Sequence, residues 1–201
     1  MTTSEKTAAV IRTSAEEAAR SGIWVGIAAI TMTFAAFTSA IIVREGTDTA
    51  WHHMTLPAVL YLNTLVLILS SITLELSRRP IAARIRGEQG AAGGSRSGVL
   101  WLAATLALGL VFLFGQYAAW RQLAAQGLFL ATNPSSSFFY VLTAVHGVHL
   151  LGGLAALAYL VWKLSLRAPG LRRSTVEATA IYWHFMGGLW IYLLLVMRTR
   201  L

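Results

Sequence analysis

The chain has 201 residues, of which 56% are hydrophobic and only 12% charged. An ordinary soluble domain carries about a quarter charged residues, so composition excludes both a disordered chain and a typical water-soluble globule. Cysteine is absent, which excludes disulfides, iron–sulfur clusters, thiolate metal sites and cysteine nucleophiles. The net charge is +8; in so apolar a chain, basic residues mark cytoplasmic loops rather than a nucleic-acid partner, and no nucleic acid is expected.

Residues 1–22 form a polar N-terminal tail with Glu5, Lys6, Arg12, Glu16, Glu17 and Arg20. It lacks an apolar core followed by a small-residue cleavage site, so no cleaved signal peptide is expected. A short cytoplasmic helix or a partly disordered segment is the reading here. Five apolar runs follow: Ile23 to Val43, Leu56 to Leu76, Val99 to Trp120, Phe138 to Trp162 and Ala178 to Met197. Each approaches or exceeds the roughly 20 residues that a helix needs to cross a bilayer core of ~30 Å. Helices satisfy their own backbone groups in lipid. The fold class predicted is an all-α integral membrane protein of five transmembrane helices.

The connections alternate between two sides. The tail, the Ser77–Gly98 connection and the Lys163–Glu177 connection hold 12 of the 16 basic residues, against 4 (Arg44, Arg121, Arg198 and Arg200) on the other side. The positive-inside rule then predicts a cytoplasmic N-terminus and a periplasmic or extracellular C-terminus. The stretch Gly87 to Gly98 reads by composition as a flexible linker. It separates two helices from three. No internal repeat is evident.

Polar residues inside the runs carry the specific information, because ionisable groups in a span are costly and face the protein interior. His146 and His149 lie in the fourth run at i, i+3, on one helical face. His184 lies in the fifth, with Glu177 near its start. The second carries Asn63 and Thr64, with Glu75 near its end. A metal or haem site is the sharp reading of the histidines. A dihaem cytochrome b needs four histidines on paired helices, and only three lie in spans; His52 and His53 fall in or beside an outer loop. The plainer reading is interhelical hydrogen bonding or contact with lipid head groups. Trp51, Trp120, Trp162 and Trp183 fall near predicted span ends, as in an aromatic belt. Ser135, Ser136 and Ser137 follow Pro134 and read as a helix start on the outer side, not as a nucleophile.

The stretches PAVLYLNTLVLILSSIT, GLVFLFGQYAAWRQL, FFYVLTAVHGVHLLGG and EATAIYWHFMGGLW together resemble subunit III of the haem-copper oxidases, in its short five-helix bacterial form. HGVH followed by paired glycines, then YWHF about thirty residues on, is the most specific part.

The resemblance implies a V-shaped two-plus-three bundle in which lipid fills the cleft. Residues 23–77 would form a two-helix arm, 78–98 a basic Gly-rich cytoplasmic loop, and 99–201 a three-helix arm. It implies a non-redox structural and lipid-binding subunit of a terminal oxidase that reduces oxygen to water in aerobic respiration, in a bacterial cell (inner) membrane. No catalytic residue, haem or copper is implied in this chain. Haem and copper would reside in partner subunits, with subunits I and II and membrane phospholipid as partners. His146, His149, Glu177, Trp183 and His184 match characteristic family positions and are carried over as structural or lipid-contacting residues. Two departures are notable. The family's usual Val-Asp pair after YWHF is Met186 and Gly187 here, and a glutamate frequent in the first matching helix corresponds to Ile30. Alternatives are an accessory subunit of a nitric oxide reductase, a membrane cytochrome b, and a small transporter. The transporter would show paired charges or broken helices at mid-membrane, and the runs show neither.

Overall fold

The computed structural model describes the backbone of residues 3–47, 51, 55–85, 91–166 and 173–201, and the side chains of 21–47, 51, 55–83, 85, 96–166 and 173–201. These residues form five helices: α1 (Thr3–Thr47), α2 (Val59–Ile85), α3 (Ala91–Ala125), α4 (Pro134–Ser165) and α5 (Arg173–Arg200). All five are long and apolar enough to cross a membrane. No strand is present among the described residues.

The helix ends follow local chemistry. At the start of α4 the Asn133 side chain accepts from Ser136 N (2.7 Å), and Ser136 Oγ accepts in return from Asn133 N (3.3 Å). Pro134 occupies the first turn. This reciprocal cap is worth about 1 kcal/mol and explains the serine cluster. At the end of α3, Gly127 takes φ +77°. Leu128 N donates to Leu123 O and Gly127 N to Ala124 O, the bond pair that closes a helix through a left-handed residue.

The N-terminal tail is helical, one of the two forms expected of it, and α1 runs unbroken from Thr3 into the first apolar run. The Gly-rich linker is shorter than its composition suggests. Residues 87–90, like His52 and His53, lie outside the described residues, but Ala91 to Gly98 are already helical. A Cβ at Gly98 would stand 3.1 Å from both Ile81 Cγ1 and Pro80 Cγ, so this end of α3 presses on α2. Packing at Gly98 offsets the roughly 1 kcal/mol that a glycine costs in a helix.

α2 packs most extensively on α3, α3 continues onto α4, and α5 touches α1, α2 and α4. α1 packs on α4 and α5 but not on α2 among the described residues. The first two helices therefore do not form a directly packed pair. Polar contacts explain why α2 chooses α3. Asn63 Nδ2 donates to Phe112 O (3.3 Å), and Thr73 and Thr105 share a 2.8 Å hydroxyl–hydroxyl bond. Gly115 supplies the space: an added Cβ would collide with the Asn63 amide. Buried polar contacts and small residues are what hold membrane helices together, since burial from lipid provides little drive.

Candidate functional site

The α2–α5 seam carries three side-chain bonds at successive levels. Trp190 Nε1 donates to Thr64 Oγ1 (3.0 Å), and Trp183 Nε1 donates to Ser70 Oγ (3.1 Å). At the far end, His184 Nε2 lies 2.7 Å from Glu75 Oε1. Glu75 also accepts from Arg78 Nη1 at 2.8 Å. The seam is not closed. Beside it runs an apolar groove of about 460 Å³, with Leu67, Ile68, Ser71, Gly187 and Gly188 on its walls and Glu75 and His184 at one end. Glu75 also borders a second groove of about 670 Å³, where Arg78, Arg79, Arg173 and Glu177 stand among apolar residues such as Pro80, Ile85 and Val176. Glu177 is held by Arg173 of its own helix at 2.6 Å.

Together the grooves form an amphipathic slot, apolar within the span and charged at its end. Gly187 contributes to the opening. A Cβ there would first meet Ser71 Oγ, at 3.7 Å, so a larger residue at this position would project into the slot. Glu75 and His184 are each part-exposed, at 49% and 37%. They therefore remain reachable from the slot instead of being sealed into the core.

The five residues singled out from sequence do not converge on one place. His184 and Glu177 line the slot. Trp183 does not sit in an aromatic belt: it is fully buried, in a space left by two glycines. Cβ atoms at Gly109 and Gly153 would come within 2.7 and 3.2 Å of its ring. The reason is position on the helix face, since Trp183 projects toward α2, α3 and α4 where its neighbour His184 faces the slot.

His146 also departs from expectation. It is fully buried, and neither ring nitrogen has a hydrogen-bond partner among the described residues. It is boxed by Phe34, Phe112 and Trp190, with ring centroids 6.4, 6.1 and 5.3 Å away. It makes no interhelical hydrogen bond among the described residues. His149 Nδ1 pairs with Val145 O of its own helix (2.8 Å), while its carbonyl accepts from Tyr182 OH (2.8 Å). Of the three span histidines, His184 alone bonds another helix through its ring. Among the described residues no group of three or more His, Asp or Glu is placed to hold a metal ion. Ile30 is buried in the core.

Sequence reasoning left Glu75 as a span-end acid, counted Arg78 and Arg79 only among the basic residues of the cytoplasmic side, and passed over Ser70 and Gln116. A signal existed for Gln116, a lone amide within an apolar run. None existed for Ser70, whose importance depends on a tryptophan more than a hundred residues away.

The fold and seam define a multi-pass membrane protein whose helices are joined by polar contacts. Comparison makes the class specific: the chain belongs to the cytochrome c oxidase subunit III family, whose sequence profile matches residues 20–199. Cytochrome c oxidase subunit 3 of Synechocystis sp. is 38% identical over 100 residues, covering 48% of this chain and 41% of that protein. The probable cytochrome c oxidase subunit 3 of Mycobacterium tuberculosis is 32% identical over 134 residues, covering 66% of this chain and 62% of that protein. Its counterpart in Corynebacterium diphtheriae is 32% identical over 145 residues, covering 70% and 64%. The chain thus spans less than two thirds of the length of these curated relatives.

Proposed function

We infer that this chain is the non-redox structural and lipid-binding subunit of a membrane haem-copper terminal oxidase. It packs against subunit I, with subunit II in the same complex, in a bacterial cell membrane. Its N-terminus faces the cytoplasm and its C-terminus the opposite side. Haem and copper belong to the partner subunits.

The amphipathic slot between α2 and α5 is the observation that carries the lipid role. Its apolar part suits an acyl chain. At its charged end Arg78 and Arg173 are paired with carboxylates, and Arg79 lies beside them. Arginine is suited to a phosphate group. The cluster formed by Glu75, Arg78, Arg79 and Glu177 therefore matches a phospholipid head group at the membrane surface. The support for an oxidase is the family membership, and the support for the orientation is the 12-to-4 division of basic residues.

The test is to purify the complex through a tag on this chain in mild detergent, identify the co-purifying polypeptides, and compare preparations with and without the chain. Removal is expected to leave haem, copper and most of the initial turnover rate in place, to release phospholipid, and to speed the decay of activity during sustained turnover. Loss of the initial rate with all metals retained would refute the non-catalytic assignment. Co-purification of nitric oxide reductase polypeptides would refute the oxidase.

A further inference from the structure

The charged end of the α2–α5 slot is not electrically balanced. Two ion pairs cancel within it. Arg78 Nη1 donates to both oxygens of Glu75, at 2.8 and 3.0 Å, and Arg173 Nε donates to Glu177 at 2.6 Å. Each pair lies within one helix, at i, i+3 and i, i+4, so neither needs a ligand to form. Arg79 lines the same groove, is exposed, and makes no ion pair with a described residue. Three arginines against two carboxylates leave one positive charge among the groove's described side chains. A proton on His184 can only raise that charge.

That surplus discriminates between head groups. The apolar part of the slot, about 460 Å³, suits the acyl chains of any phospholipid and selects among none of them. A zwitterionic head group brings an ammonium with its phosphate, and the ammonium needs a carboxylate. Both carboxylates here are already held: Glu177 by Arg173, and Glu75 by Arg78 and by His184 at 2.7 Å. A phosphodiester without an amine needs only a guanidinium, whose planar fork matches phosphate oxygens. Arg79 is the arginine of the groove that has no counter-ion among the described residues. It follows Glu75 by one helical turn, on the same face. It also lies four residues before Ala83, the end of its span, at the level of head groups rather than of hydrocarbon.

We propose that the slot selects a monoanionic phospholipid, one whose phosphodiester carries no amine, such as phosphatidylglycerol, and that Arg79 makes the selection. The acyl chain lies along Leu67, Ile68, Gly187 and Gly188, and the phosphate sits at Arg79, beyond the Glu75–His184 pair. A soluble phosphate can neutralise Arg79 but leaves the apolar part of the slot unfilled, so a lipid is the occupant. This rests on the reading of the slot as a lipid site and adds which class of lipid it takes.

The experiment uses the whole complex, stripped of lipid in detergent and re-equilibrated with micelles holding equal amounts of phosphatidylglycerol and phosphatidylethanolamine with identical acyl chains. Lipid that stays bound through gel filtration is counted by mass spectrometry. Slot lipid is the part lost in Gly187→Leu or, from the facing wall, in Ser71→Leu, each of which fills the apolar part. That lipid is expected to be phosphatidylglycerol by about five-fold, the effect of one basic residue near a membrane surface. Arg79→Gln is expected to abolish the preference without releasing phosphatidylethanolamine. Glu177→Gln frees Arg173 and is expected to raise the preference, a gain that damage to the fold does not produce. Equal retention of the two lipids in the unsubstituted complex, or a preference unmoved by both glutamine variants, would overturn the selection. Displacement of the slot lipid by glycerol 3-phosphate would overturn the lipid as the source of the phosphate. If neither leucine variant releases lipid, the lipid reading of the slot itself falls; if they release both lipids equally, the selection alone falls.

Discussion

His184 of α5 and Glu75 of α2 meet at 2.7 Å, although 109 residues separate them in the chain. They close the apolar part of the slot and open its charged part. Glu75→Gln and His184→Gln, singly and together, should reveal a coupling of about 0.6 kcal/mol, the typical value for a polar pair between membrane helices. Reversible unfolding in mixed micelles would measure it. Additive effects would show that the pair does not join the helices.

The same pair bears on carboxyl chemistry. Ile30 and Gly187 stand where the resemblance places acids, so Glu75 is the carboxylate furthest inside a span among the described residues. Carbodiimide labelling of the chain within the membrane should be low and should map to Glu75, with Glu75→Gln abolishing it. Peptide mapping after labelling decides this, and a strong adduct elsewhere in a span would contradict it.

Trp183 fills the space left by Gly109 and Gly153. Trp183→Ala should cost about 3–5 kcal/mol, the range for removing a large buried ring. Trp183→Phe should cost less, since it keeps much of the volume and loses the bond to Ser70. Gly109→Val should be as harmful as the alanine variant or nearly so, because its Cβ would lie 2.6 Å from Leu154 Cδ2. Unfolding free energies in detergent would rank the three.

Gly115 and Gly147 give a matched comparison. Gly115→Ala drives a methyl group into the Asn63 amide and should cost about 1–3 kcal/mol. Gly147→Ala faces open space and should leave the isolated chain unchanged or more stable by up to about 1 kcal/mol, through helix propensity. A large loss of stability for Gly147→Ala in the isolated chain would show that the space beside Gly147 is already filled from within.

His146 is buried without a hydrogen bond. Replacing an unsatisfied polar group by an apolar one of similar size is nearly neutral or stabilising, so His146→Leu should leave stability unchanged or raise it by about 1 kcal/mol. Haem content of the purified complex should not change. A lost haem, read from the optical spectrum, would reveal a ligand role that the aromatic box argues against.

The five spans were legible in the sequence because a bilayer imposes one requirement on every helix that crosses it: about twenty residues without exposed charge. Their order was legible too, and so was the start of α4, because a cap is written in adjacent residues. What the sequence did not reveal is which faces meet. Trp183 and His184 are neighbours in the chain, yet one is sealed in the core and the other borders a slot. Adjacent residues on a helix point about 100° apart, and only the packing of the other helices decides which direction is inside. Nor did composition reveal that Ala91 to Gly98 would be helical, with Gly98 itself pressed on Pro80 and Ile81 of α2. The choice of α3 over α1 as the partner of α2 depends on Asn63 meeting Gly115, a fit between two surfaces that neither stretch of sequence contains by itself.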